Sequence, residues 1–104
     1  METGYEAVAD VEELQPGQMK RVTVKGRRLL IVNDADRFFA LDEMCSHEEY
    51  SLYYGCIKGG KIKCSLHGSH FDLATGVPMD EPADEPIGTY PVAVVSGKVG
   101  VKVD

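Results

Sequence analysis

The chain has 104 residues, 43% of them hydrophobic and 27% charged, which suits one small domain with a modest core and argues against disorder. Its net charge of −6, from 17 acidic against 11 basic residues, disfavours nucleic acid and anionic membrane as partners, because both are polyanions. There is no apolar run of ~18 residues, and Met1-Glu2-Thr3-Gly4-Tyr5-Glu6 lacks the basic-then-apolar order of a signal peptide, so a cytoplasmic protein is expected.

In chain order the pattern reads as strands punctuated by turns. Tyr5 to Ala9 is a first short strand, and Leu14-Gln15-Pro16-Gly17 is a turn. Met19 to Val24 alternates, with Met19 opposed to Val22 and Val24 and room for a bulge between them. Lys25-Gly26 fits a hairpin loop before the apolar run Leu29-Leu30-Ile31-Val32; Asn33 to Asp36 is turn chemistry, and Arg37 to Leu41 is another strand. Residues 53–63 form a smaller hairpin with arms Cys56-Ile57-Lys58 and Lys61-Ile62-Lys63. Its tip, Gly59-Gly60, tolerates the positive φ angles of a type I′ turn. His70 to Leu73 is strand-like and Ala74-Thr75-Gly76 turns. Pro78, Pro82, Pro86 and Pro91 make residues 77–91 a rigid acidic loop without strand interior. Val92 to Val95, Ser96-Gly97 and Val99 to Val103 close the chain as a hairpin. No stretch carries a sustained helical period with caps, so an all-β domain of antiparallel sheets is predicted.

Two short pairs carry the chemistry. Cys45-x-His47 and Cys64-x2-His67 each offer a soft thiolate and a borderline imidazole, a set that selects iron–sulfur, zinc or copper over hard cations. The small hairpin lies between them, and a hairpin brings its ends together, so the intervening residues need not separate the pairs. A Cys2His2 zinc site that staples a small interaction module is one reading. Zinc fingers, however, take like ligands from each segment, whereas here each segment supplies one sulfur and one nitrogen. That suits a two-iron cluster with both thiolates on one iron and both imidazoles on the other. His70 competes with His67 as a ligand and also reads as a strand histidine without metal. Cys56, left over, reads most simply as a small buried apolar residue.

These spacings resemble the signature of Rieske [2Fe-2S] proteins, in particular the small Rieske-type ferredoxins of bacterial aromatic-ring-hydroxylating dioxygenase systems. The likeness extends to Phe39-Ala40-Leu41, Gly55, Gly60, Phe71-Asp72, Gly76 and the closing hairpin. It implies one Rieske domain over 1–104, with a basal sandwich-like part (1–43 and 78–104) and an inserted cluster-binding subdomain (44–77). It implies a [2Fe-2S] cluster held by Cys45, His47, Cys64 and His67, and a monomeric one-electron carrier in place of an enzyme. The electron donor would be a flavin-containing ferredoxin reductase and the acceptor a Rieske terminal oxygenase. A small Rieske-like subunit of another oxidoreductase, such as nitrite reductase, is the rival within this resemblance. Respiratory and photosynthetic members carry a disulfide between the cluster loops; Tyr50 and Leu66 stand at those positions. Ser69 matches a serine that donates to the cluster, but Phe71 replaces the donating tyrosine. The resemblance therefore implies a potential in the lower part of the range of about −150 to +300 mV. Glu48, Tyr50, Leu66, Ser69, Pro82 and Pro86 are expected to shield the cluster or dock a partner, and residues 79–86 to cover it from a third side.

Overall fold

A computed structural model describes residues 3–45, 51–65, 68–79 and 85–103. Among the described residues there are ten strands: β1 (Tyr5–Asp10), β2 (Met19–Val24), β3 (Arg27–Asp34), β4 (Arg37–Asp42), β5 (Cys56–Lys58), β6 (Lys61–Lys63), β7 (His70–Asp72), β8 (Thr89–Tyr90), β9 (Val92–Val95) and β10 (Lys98–Lys102). They form three sheets, ordered β1-β10-β9, β2-β3-β4-β8 and β5-β6-β7, and every pairing is antiparallel. Helix among the described residues is confined to two 3₁₀ turns, Val11–Glu13 and Leu52–Tyr54.

The sheet β2-β3-β4-β8 is the middle layer, and the alternation of its side chains explains why. Leu29 and Ile31 of β3, with Val24 and Ala40, pack against Ala9, Val99 and Val101 of the β1-β10-β9 sheet. Leu30, Val32 and Leu41 point the other way, into a second core with Ile62, Phe71 and Leu73 from the small sheet and its flanks. A strand covered on both faces reads as a continuous apolar run, which is why Leu29-Leu30-Ile31-Val32 does not alternate. All four residues are fully buried.

The hairpins close as their turn residues dictate. Lys25-Gly26, Ala35-Asp36, Gly59-Gly60 and Ser96-Gly97 all have positive φ at both positions, the type I′ geometry whose twist matches that of paired strands. At Ala35-Asp36 no glycine helps. There the Asp36 N–H donates to Asn33 Oδ1 (2.8 Å), while Asn33 Nδ2 donates to the Leu14 carbonyl (2.8 Å).

Five local expectations are corrected. β2 pairs with β3 in unbroken register from Met19↔Val32 to Val24↔Arg27, so it has no bulge. The irregularity lies instead in β1, between Ala7 and Ala9. Residues 77–91 do contain a strand: β8 fits between Pro86 and Pro91 as a two-residue edge, paired through Ala40↔Tyr90 and Leu41↔Thr89. An edge strand needs ladder partners on one side only, so neighbouring prolines are tolerated. Leu73 belongs to the turn after β7, and Tyr53 to a 3₁₀ turn ahead of the small hairpin. Cys56 is exposed: on β5 the inward position is Ile57, which packs against the second core, so period-two alternation turns Cys56 outward.

Candidate metal centre

Cys45 and Cys64 both end up in the second core, 6% and 1% exposed, among Leu30, Val32, Leu41, Leu52, Ile62 and Phe71. Cys45 leaves the end of β4, while Cys64 follows β6 directly. The three cysteines form no disulfide. Five of the residues singled out in the two ligand loops, His47, Glu48, Tyr50, Leu66 and His67, lie outside the described residues, as does Pro82 of the acidic loop. Accordingly, among the described residues no group of three or more His, Cys, Asp or Glu side chains gathers as a metal site.

What the structure does describe is how each loop is held at its base. The first loop springs from a clamp that the sequence did not advertise. Met44 and Ser51 form an antiparallel bridge, and the Leu52 N–H donates to the Glu43 carbonyl (2.7 Å). Glu43 is 3% exposed and its carboxylate is fully engaged. Ser51 Oγ donates to Oε2 (2.6 Å) and Arg28 Nε to Oε1 (3.0 Å). Burial pushes the Glu43 carboxyl up, but the hydrogen bonds from Ser51 and Arg28 and the charge of Arg28 outweigh it, holding the group below its ordinary value. The hint in the sequence is faint: Glu43 directly follows β4, two positions before Cys45, and a charged residue needs a partner if it is buried.

The second loop is tied within itself. The Cys64 N–H donates to the Ser69 carbonyl (2.8 Å) and the Gly68 N–H to the Cys64 carbonyl (2.9 Å). Gly68 is required by its φ of +77°, with only the end of the Lys63 side chain near a would-be Cβ. Ser69 is buried and Pro86 exposed. Gly55 joins the loops by contact: a Cβ there would lie 1.8 Å from the Lys63 carbonyl oxygen, immediately before Cys64. The third, acidic loop departs from paired backbone as well. The Met79 N–H donates to the His70 carbonyl (2.7 Å), and the Ile87 N–H to the Gly76 carbonyl (2.9 Å).

The donor chemistry fits an iron–sulfur group on its described side. Two thiols stand in one dry apolar core, which suits uncharged sulfur-rich cargo better than an exposed hard cation. No buried side-chain polar atom among the described residues lacks a partner, so the core makes no competing polar demand. His70 is half-buried at the start of β7 and lines a depression with Lys58, Gly59, Lys61 and Met79 on the outer side of the small sheet.

An all-β body with two cysteine-bearing loops anchored on one core defines a small iron–sulfur domain of the Rieske class. Residues 4–91 match the Rieske [2Fe-2S] domain family. Ferredoxin CarAc of Metapseudomonas resinovorans is 35% identical over 95 residues, spanning 90% of this chain and 89% of its own. The ferredoxin of carbazole 1,9a-dioxygenase from Nocardioides aromaticivorans IC177 superposes with a TM-score of 0.93 at 31% identity, covering 98% of this chain and all of that one. A chain from the complex of reduced oxygenase and oxidized ferredoxin in carbazole 1,9a-dioxygenase gives 0.89 at 32% identity, covering 97% and 94%. The chain belongs to the Rieske [2Fe-2S] family, as a ferredoxin of the kind found in aromatic dioxygenase systems. Its cofactor is a Rieske-type [2Fe-2S] cluster, which sets aside the zinc module, and it is an electron carrier with no catalysis of its own. No helix among the described residues is long and apolar enough to cross a membrane.

Proposed function

We propose that this chain carries single electrons from a flavin-containing reductase to the Rieske terminal oxygenase of an aromatic-ring-hydroxylating dioxygenase system. The observation that carries the reading is the burial of Cys45 and Cys64 in one apolar core on separately clamped loops. When bound, the cluster supplies a site that gains and loses one electron. Cys45 and Cys64 would hold one iron through their thiolates, and His47 and His67 the other through imidazole nitrogens. His70, on the outer side of the small sheet beside Lys58 and Lys61, stays a strand residue. Residues 44–77 act as the cluster-bearing unit on a basal part made by 1–43 and 78–104.

The buried thiols and the apolar wall of Leu30, Val32, Leu41 and Phe71 keep water from the sulfur side. Ser69, buried and tied to Cys64 by the bond from the Cys64 N–H to its carbonyl, shields the cluster. Phe71 offers no hydroxyl, which supports a low Rieske potential. Glu48, Tyr50 and Leu66, with Pro82 and Pro86 of the acidic loop, form the rim that meets partners. The protein works as a monomer in the cytoplasm. Identity of 35% and 31% to ferredoxins over nearly full length, against 20% to a nitrite reductase small subunit, favours this over a nitrite-reductase-type subunit.

The test is metal and sulfide analysis of the purified protein, with spectra before and after reduction. Equal iron and acid-labile sulfide, visible colour and a paramagnetic reduced form are expected, all lost in Cys64→Ser and His67→Ala. Tetrahedral zinc without sulfide would overturn the reading.

A further inference from the structure

We propose that the outer face of the β5-β6-β7 sheet is a basic docking strip for an acidic surface on a redox-partner protein, an inference that rests on the carrier reading above. Strand alternation sends Ile57, Ile62 and Phe71 toward the core and leaves two cross-strand rows outside: Cys56↔Lys63↔His70 and Lys58↔Lys61↔Asp72. Lys58, Lys61 and Lys63 are all exposed. Among the described residues none of the three takes part in an ion pair, whereas Lys20 pairs with Glu13 (3.1 Å), Arg28 with Glu43 (3.0 Å) and Lys98 with Asp10. Asp72, the acid on this face, turns its carboxylate to its own turn, accepting from the Ala74 N–H (3.2 Å) and the Thr75 hydroxyl (3.0 Å).

The arrangement has no folding rationale. Lys58 and Lys61 stand directly opposite one another, a like-charge pair that weakens a sheet. Neighbours on adjacent strands lie ~5 Å apart, well inside a Debye length of about 8–10 Å, so their fields add. Against a net charge of −6, three ammonium groups that make no ion pair among the described residues form a local reversal of sign.

Apolar anchors stand at both ends of the strip. Met79, 52% exposed, borders the depression lined by Lys58, Lys61 and His70; Tyr54, 58% exposed, borders another with Cys56, Lys63 and Ser65. An apolar contact ringed by charge is the anatomy of a protein interface. The strip also starts next to the site, since Lys63 precedes Cys64, and His70 follows Ser69, whose carbonyl accepts from the Cys64 N–H. A partner seated there stands beside the loop that carries Cys64. The net negative charge repels a long polyanion at range, whereas a compact acidic patch meets chiefly the local field. This selects a protein surface over nucleic acid.

The test compares Lys58→Glu/Lys61→Glu/Lys63→Glu with Lys25→Glu/Arg37→Glu/Lys102→Glu, which changes net charge equally on the other two sheets. A fluorescein-labelled oligoglutamate at low ionic strength is the binding probe, read by anisotropy. Hexacyanoferrate(III), which takes one electron from the reduced protein, is the transfer probe. Both binding and oxidation rate are expected to fall about tenfold or more in the strip variant and about twofold in the control. Equal losses in the two variants overturn the proposal, as does no oligoglutamate binding by the unaltered protein, or tighter binding of a DNA oligonucleotide of equal charge. If the strip variant loses its visible spectrum, Lys58→Gln/Lys61→Gln/Lys63→Gln replaces it under the same criteria. A colourless unaltered protein refutes the carrier reading, while oligoglutamate binding still decides the strip.

Discussion

Glu43→Ala removes the clamp under the first cysteine loop without touching a proposed ligand. Two charge-assisted bonds disappear, from Ser51 Oγ (2.6 Å) and from Arg28 Nε (3.0 Å). The Arg28 side chain is 63% exposed, so screening limits its share to ~1 kcal/mol or less. The Ser51 bond is buried and donates to a carboxylate, worth about 1.5–3 kcal/mol. The sum is about 1.5–4 kcal/mol on the closed state of the loop base. At ~1.4 kcal/mol per tenfold, that predicts cluster bleaching by a strong iron chelator at least ~10-fold faster than in the unaltered protein. Ser51→Ala should capture most of the effect, and a Glu43/Ser51 double-mutant cycle should return a coupling of at least ~1 kcal/mol. Bleaching within about threefold of the unaltered protein would refute the clamp. So would single effects that simply add.

Gly55→Ala drives a methyl into the Lys63 carbonyl oxygen, 1.8 Å from the would-be Cβ, so β6 must move just where it delivers Cys64. Thermal melts should show a loss of about 3 kcal/mol or more, with iron content reduced, whereas Gly59→Ala, with open space around it at φ +60°, should cost ~1–2 kcal/mol and keep the cluster. Tyr90 tests the β4–β8 seam: its hydroxyl donates to Asp42 Oδ1 (2.5 Å), and the Gly88 N–H donates to Oδ2 (2.9 Å). Burial, then the hydrogen bond and charge of Asp42, raise the Tyr90 pKa above its ordinary 10.0. A raised folded value gives stability that is complete below about pH 10 and lost as pH climbs through the folded value, because the unfolded phenol ionises first. Tyr90→Phe should therefore cost about 1–2 kcal/mol near neutrality and flatten the alkaline decline in melting temperature; an unchanged decline would remove Tyr90 as its source.

Much of the fold was legible because hairpin chemistry is local. Gly59-Gly60 and Ser96-Gly97 announce type I′ turns through the residues that tolerate positive φ, and the strands beside them follow. The two corrections at β1 and β2 have a different origin. A bulge depends on the partner's register, and β1 pairs with β10 from the far end of the chain, which no local pattern reveals. Cys56 was misplaced because cysteine is usually buried, while its strand neighbour Ile57 had already taken the inward position. The paired Cys and His spacings pointed to a site from ligand chemistry alone, and of those four residues the structure describes Cys45 and Cys64, which share one core. The clamp did not show itself, because Glu43, Ser51 and Arg28 come from three separate segments.

The middle sheet explains why so small a chain can hold a metal group at its edge. One face of β3 and β4 builds a core with β10 that includes neither proposed cysteine ligand. The opposite face builds a second core in which Cys45 and Cys64 are members alongside Leu30, Val32 and Leu41. Burial of the thiols therefore rests on strands that are also packed from behind, and movement in the loops need not reach the first core. Each loop then has its own fastening: a buried carboxylate for the first, reciprocal backbone bonds for the second, and the Met79–His70 and Ile87–Gly76 bonds for the third. Because these fastenings share no side chain, weakening one should loosen one loop at a time.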